Sequence, residues 1–115
     1  MTKQVITRRS VMVGTVAMAA VLIPMPLSSE EVTVHEVEIS SFEFIPAVLQ
    51  VRVGDTVRWT NKDLAPHTAT ADEFGWDTGQ IEHGKTSEIL IQPDMENTYF
   101  CVFHPHMKGR VEIVR

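Results

Sequence analysis

The sequence predicts an all-β domain built as a β-sandwich. Three observations lead there: apolar residues recur in short alternating runs, polar or glycine-containing turns separate the runs, and no stretch after residue 30 shows helical periodicity. Val32, Val34, Val37 and Ile39 mark a first strand, with a slip of phase between Val34 and Val37. Leu49, Val51 and Val53 alternate with Val48, Gln50 and Arg52. Gly54-Asp55 predicts a turn, and Val57 and Trp59 then alternate with Thr56, Arg58 and Thr60, so this stretch reads as a hairpin. Ile89-Leu90-Ile91, Tyr99 to Val102, and Val111 with Ile113 and Val114 supply three further strands. Between them, Asn61 to Ile81 is weak in strand character and reads as loop with one short strand near Thr68–Thr70. Antiparallel pairing is the expectation for such closely spaced strands. A chain of 115 residues holds one such domain.

The front of the chain reads differently. Residues 1–27 carry Lys3, Arg8 and Arg9 and no acid, and the arginine pair stands directly before an uncharged apolar run, Val11 to Ile23. That run is 13 residues long, against the roughly 20 needed to span a bilayer as a helix. A basic start and a short apolar run describe a secretory signal, and Thr7-Arg8-Arg9-Ser10 resembles the twin-arginine export signal. The division expected is therefore a signal segment over residues 1–29 and a folded domain over 30–115, with an extracytoplasmic, periplasmic setting. If the segment is retained it becomes a membrane tether.

Charge and cysteine content narrow the function. The formal net charge is −5, and with three of the ten basic residues in the front segment and all fifteen acids beyond it, the body carries −8. That balance argues against nucleic acid as a partner and favours a partner with a basic face. Cys101 is the only cysteine, which excludes a disulfide framework within the chain and leaves a core residue, a nucleophile or a metal ligand.

Cys101-Val102-Phe103-His104-Pro105-His106-Met107 is the densest chemical signal. It sets a thiol, an imidazole and a thioether at intervals of three, and Pro105 with the preceding strand makes this a loop rather than a helix face. A loop leaving a strand can wrap those three donors around one ion, so a distant residue must complete the set. His67, between Pro66 and Thr68 just beyond the strand that ends near Thr60, is the best candidate. Two imidazoles, one thiolate and a weak thioether suit copper cycling between Cu(I) and Cu(II) for electron transfer. Each residue alone has a plainer explanation: Cys101 as core, His67 as loop, Met107 as filler of a core gap. Their joint spacing in a strand-rich, exported chain is what favours the metal. His35 is expected on a strand surface, His83 in a turn, and His106 on the rim of the site.

These residues resemble those of the cupredoxins, and most closely the amicyanin and plastocyanin-like group. The resemblance covers about Val34 to Val114. Val53-Gly54-Asp55-Thr56-Val57-Arg58-Trp59-Thr60-Asn61 is similar to the family's segment before its first ligand histidine, and Ala65-Pro66-His67-Thr68 matches the family's Pro-His. Tyr99-Phe100-Cys101 followed by His104, Pro105 and Met107 resembles the short ligand loop of that group. The resemblance implies a Greek-key β-sandwich and a type 1 (blue) copper site. His67, Cys101 and His104 would lie in the copper plane, with Met107 axial. It also implies transfer of single electrons between a donor and an acceptor protein with no substrate turned over, so not an enzyme; a monomer is expected. The sequence departs from the family at Asp94-Met95-Glu96-Asn97-Thr98, where the family has a Gly-Thr-Tyr turn, at His106, and in the loop Asp72 to Asp77, where Trp76 is either core or partner surface. Two other functions use the same residues: copper delivery or storage, and a Cys101 nucleophile with His104 or His67 as base. The second leaves Met107 without a role.

Overall fold

A computed structural model describes residues 32–114; the expected signal segment and its boundary with the domain lie outside the described residues. The strands are β1 (Val34–Ser40), β2 (Glu43–Ile45), β3 (Val48–Arg52), β4 (Thr56–Asn61), β5 (Thr70–Ala71), β6 (Thr86–Leu90), β7 (Thr98–Phe100) and β8 (Lys108–Val114). They form two four-stranded sheets, ordered β2-β1-β4-β6 and β3-β8-β7-β5. The β-sandwich expected from the sequence is therefore present, and β2 is a strand the sequence reading missed.

Two details depart from expectation. The sheets are mixed rather than antiparallel, because β1 pairs with β4 and β3 with β8 in parallel. The predicted hairpin of β3 and β4 does not form: β3 lies in one sheet and β4 in the other. The Asp55 amide donates to Arg52 O at 3.0 Å across a turn in which Gly54 takes positive φ (97°). The chain instead crosses between layers here, so that Val51 and Val57 face the same core from opposite sheets. The Gly54 amide donates to Ile91 O at 2.9 Å and the Ile91 amide to Asp55 O at 2.8 Å, which ties the crossing to the end of β6.

A buried carboxylate stabilises this crossing. Asp55 accepts from the amides of Thr33 (3.3 Å) and Arg52 (3.0 Å) and from the His35 ring (2.8 Å). A carboxylate only accepts, so His35 presents N–H on Nε2. The inner phase of β1 is set by Val37 and Ile39, which places His35 on their side of the strand; it is half-buried, not the surface residue expected, while Val32 and Val34 stay exposed. Burial alone would raise the Asp55 pKa, but the His35 ring and the Arg52 and Thr33 amides outweigh it and hold the group below the ordinary aspartate range.

The core between the sheets is built on period-two alternation. Val57 and Trp59 of β4 face Tyr99 of β7 and Val111 of β8, with Val37, Ile39, Phe44, Val51, Ile81 and Ile91 around them. The Trp59 indole donates to the Tyr99 hydroxyl at 3.3 Å, and the two rings meet edge to face at 5.5 Å. Burial pushes the Tyr99 hydroxyl up to about 12, the Trp59 bond acting against it. Trp76, from the loop that departs from the family pattern, is partly buried, packs on both rings against the core and donates to Glu96 O at 2.9 Å. Gly109 of β8 is the floor beneath Tyr99: a Cβ there would overlap the ring carbon Cζ and the hydroxyl.

Two predictions follow from this packing. Gly109→Ala forces the Tyr99 ring out of place and destabilises the fold by about 3 kcal/mol, the upper end of overpacking costs; urea unfolding measures it. Asp55 has a lower pKa folded than unfolded, so the unfolded chain binds more protons at acid pH and stability falls as the pH drops through the folded pKa. Asp55→Asn should flatten that acid limb in a series of melting temperatures below about pH 4, while lowering stability at neutral pH.

Candidate metal centre

The same alternation that builds the core also delivers the site. Inward positions on β4 run Val57, Trp59, Asn61, and those on β7 continue from Tyr99 to Cys101, so Asn61 and Cys101 stand at the end of the core. Cys101 is fully buried and its thiol is free. Asn61, also fully buried, braces the next loop: its Nδ2 donates to Ala65 O (2.8 Å) and Ile81 O (2.9 Å), and its Oδ1 accepts the Asp63 amide (2.8 Å). His67 then exchanges backbone hydrogen bonds with Ile81, at 3.2 and 2.7 Å. These bonds place a buried His67 with Nδ1 3.6 Å from Cys101 Sγ.

On the other side the loop after β7 closes on itself. The His104 amide donates to Cys101 O (3.1 Å), the Met107 amide to His104 O (2.8 Å), and the Cys101 amide to Met107 O (3.2 Å). This turn brings His104 Nδ1 to 3.7 Å from Sγ. Donor atoms of His67, Cys101 and His104 all lie within 4.8 Å of one another, a grouping that can hold a metal ion. Of the four residues singled out in the sequence, the structure thus brings three together as donors. Met107 is buried in the core cluster beside Cys101, joined to it through the main chain. His106 is exposed on the rim, its ring 6.4 Å from that of His104, and His83 is an exposed turn residue whose Nδ1 donates to Asp63 O at 2.9 Å.

Asp63 and Phe42 were not found from the sequence. The Asp63 carboxylate accepts from His67 Nε2 at 2.9 Å, which leaves Nδ1 with its lone pair toward the cluster. It also accepts the amides of Ser41 (2.8 Å) and Phe42 (2.9 Å). Both of those residues have positive φ, 54° and 61°, a conformation that costs energy outside glycine and persists here under the two bonds to Asp63. The strained turn turns Phe42 over the site, edge-on to His67 at 5.2 Å and to His104 at 4.7 Å. Burial raises the Asp63 pKa, but the Phe42 and Ser41 amides and the His67 ring overcome it and leave the group below its ordinary value. The i,i+4 spacing of Asp63 and His67 was a usable signal; the approach of Phe42 from 21 residues before Asp63 had none.

Comparison with known proteins agrees with this geometry. The profile described as Cupredoxin-like domain matches residues 12–113. The chain belongs to the cupredoxin-like family. Among curated proteins it is similar to amicyanin-alpha of Methylorubrum extorquens, 25% identical over 68% of this chain and 70% of that one. It is also similar to amicyanin of Paracoccus denitrificans, 26% identical over 67% of this chain and 63% of that one, just under two thirds of that relative's length. Among solved structures, a reduced amicyanin variant matches with a TM-score of 0.61 and 27% identity over 70% of this chain and 81% of that one. A Cu(I) form of another amicyanin variant matches with a TM-score of 0.62 and 25% identity over the same shares.

The donor set fits copper: a buried thiol and two imidazole nitrogens grouped around one point are ligands that both of its oxidation states accept. Second partners of ligating histidines govern metal affinity. Asp63→Ala should therefore weaken copper binding about 10- to 100-fold, measured by competition with a chelator, while Cys101 stays in place.

Proposed function

We propose that this chain is an extracytoplasmic type 1 (blue) copper protein that carries single electrons between redox partners, with His67, Cys101, His104 and Met107 as its copper ligands. The observation that carries the reading is the His67–Cys101–His104 cluster, its first two members buried, preformed at one end of a β-sandwich. Copper bound there supplies a one-electron couple between Cu(I) and Cu(II). Residues 1–29 act as the export segment ahead of a domain over 30–115, and the domain works as a monomer.

The chain's own residues give this site its character. Fully buried Cys101 and His67 exclude water, while half-exposed His104 is the edge nearest solvent. Phe42, Leu64, Val102 and Phe103 are exposed apolar residues on the two ligand loops and the turn beside them. A partner meets the site at this edge, and the acidic body favours a donor or acceptor with a basic face. The reaction is outer-sphere transfer with no substrate turned over. Copper delivery or storage needs a metal that exchanges readily, and the burial of Cys101 and His67 opposes that.

Copper-loaded, oxidised protein should show an intense visible thiolate-to-Cu(II) band that reductant bleaches reversibly, and Cys101→Ser should abolish it. A copper-replete, oxidised protein without the band contradicts the reading.

A further inference from the structure

A short line of hydroxyls connects the cluster to a surface carboxylate. Val102 N lies 3.0 Å from Thr68 Oγ1, Thr68 Oγ1 lies 2.9 Å from Thr70 Oγ1, and Thr70 Oγ1 lies 2.8 Å from Asp77 Oδ1. Thr68 and Thr70 are 4% and 1% exposed, so no bulk water substitutes for these bonds. The order of the protons follows from chemistry. A carboxylate only accepts, so Thr70 donates to Asp77; a hydroxyl has one proton, so Thr70 must accept from Thr68. The Thr68 proton is then committed, and its oxygen is left to accept the Val102 amide.

Thr68 links the two ligand segments twice. It follows His67, its amide donates to Cys101 Sγ at 3.4 Å, and its hydroxyl holds the residue after Cys101. We propose that Asp77 is a positioning residue for the metal site: through Thr70 it orients the Thr68 hydroxyl, locks residues 67–68 onto 101–102, and so maintains the N–H···S bond on the Cys101 sulfur. Asp77 is also fixed at its own end, bridged to Thr70 through the backbone and accepting the Gly79 amide at 3.0 Å. Hydrogen bonds to the cysteine sulfur tune the potential of such copper sites. An N–H on the sulfur draws off electron density and favours the reduced state, so loss of the order lowers the potential.

The electrochemical consequence rests on the copper reading; the hydrogen-bond order itself does not. The test compares full-length wild type with Thr70→Val, Asp77→Ala, the double variant and Asp77→Asn. With copper bound, Thr70→Val and Asp77→Ala should lower the midpoint potential by similar amounts. The double variant should go no further than either, since all three cut one line, and Asp77→Asn, which keeps an acceptor oxygen, should stay near wild type. In metal-free protein, the Val102 amide should exchange with solvent faster in Thr70→Val and Asp77→Ala, by up to about tenfold, the worth of one hydrogen bond. Additive potential shifts, unchanged Val102 exchange, or an Asp77→Asn shift as large as that of Asp77→Ala overturns the proposal. If Asp77→Ala fails to fold, Thr70→Val, which keeps the Asp77–Gly79 turn, decides it alone. Absence of a copper band in wild type defeats the copper reading, and the amide exchange still decides the hydrogen-bond line.

Discussion

One constraint organises this molecule: a fully buried sulfur at the point where two chain segments from opposite sheets meet. Cys101 continues β7, and His67 lies beyond β4 in the other layer. Their approach to 3.6 Å combines the core packing of β4 and β7 with the Asn61 and Ile81 hydrogen bonds that hold the His67 loop. On a strand, residues two apart share a face. Trp59 and Asn61 therefore face one way, as do Tyr99 and Cys101. The Trp59–Tyr99 bond lies in the centre of the sandwich and the cluster at its end, two residues further along each segment.

Burial gives the cluster its chemistry and also its cost. Polar groups taken from water must find partners, and the partners found here determine the arrangement of the loops. Asn61 satisfies two groups of the His67 loop and the Ile81 carbonyl beside it, and Asp63 gathers the His67 ring and two amides of the turn before β2. The result is a site assembled by the protein's own hydrogen bonds. A frame of this kind limits rearrangement when the charge on a bound ion changes, which is what rapid one-electron exchange requires.

The legible part of the sequence was its local part. Strand alternation around Val57 and Trp59 and the strand run from Tyr99 were plain, and so was the donor spacing of Cys101, His104 and Met107, because each lies within a few residues of chain. The parallel pairings of β1 with β4 and β3 with β8 were not legible, since alternation says which face is buried but not which strand lies alongside. The missing hairpin has the same origin: Val51 and Val57 alternate as a hairpin would, yet each covers the core from its own sheet. Asp55 reads as a turn residue and Asn61 and Asp63 as loop, whereas Asn61 ends β4; that all three are buried or partly buried acceptors and braces depends on contacts across twenty residues or more. His35 was misplaced because the apolar residues Val32 and Val34 gave the wrong phase to the start of β1.

X-ray absorption at the copper edge, on protein loaded in each oxidation state, tests whether the Cys101 sulfur and the His67 and His104 imidazoles hold a redox ion in a preformed cage. The expected result is one short sulfur and two imidazole nitrogens around copper in both states, with distances that scarcely change on reduction. A copper environment without a short sulfur bond, or one that exchanges ligands between the two states, would contradict it.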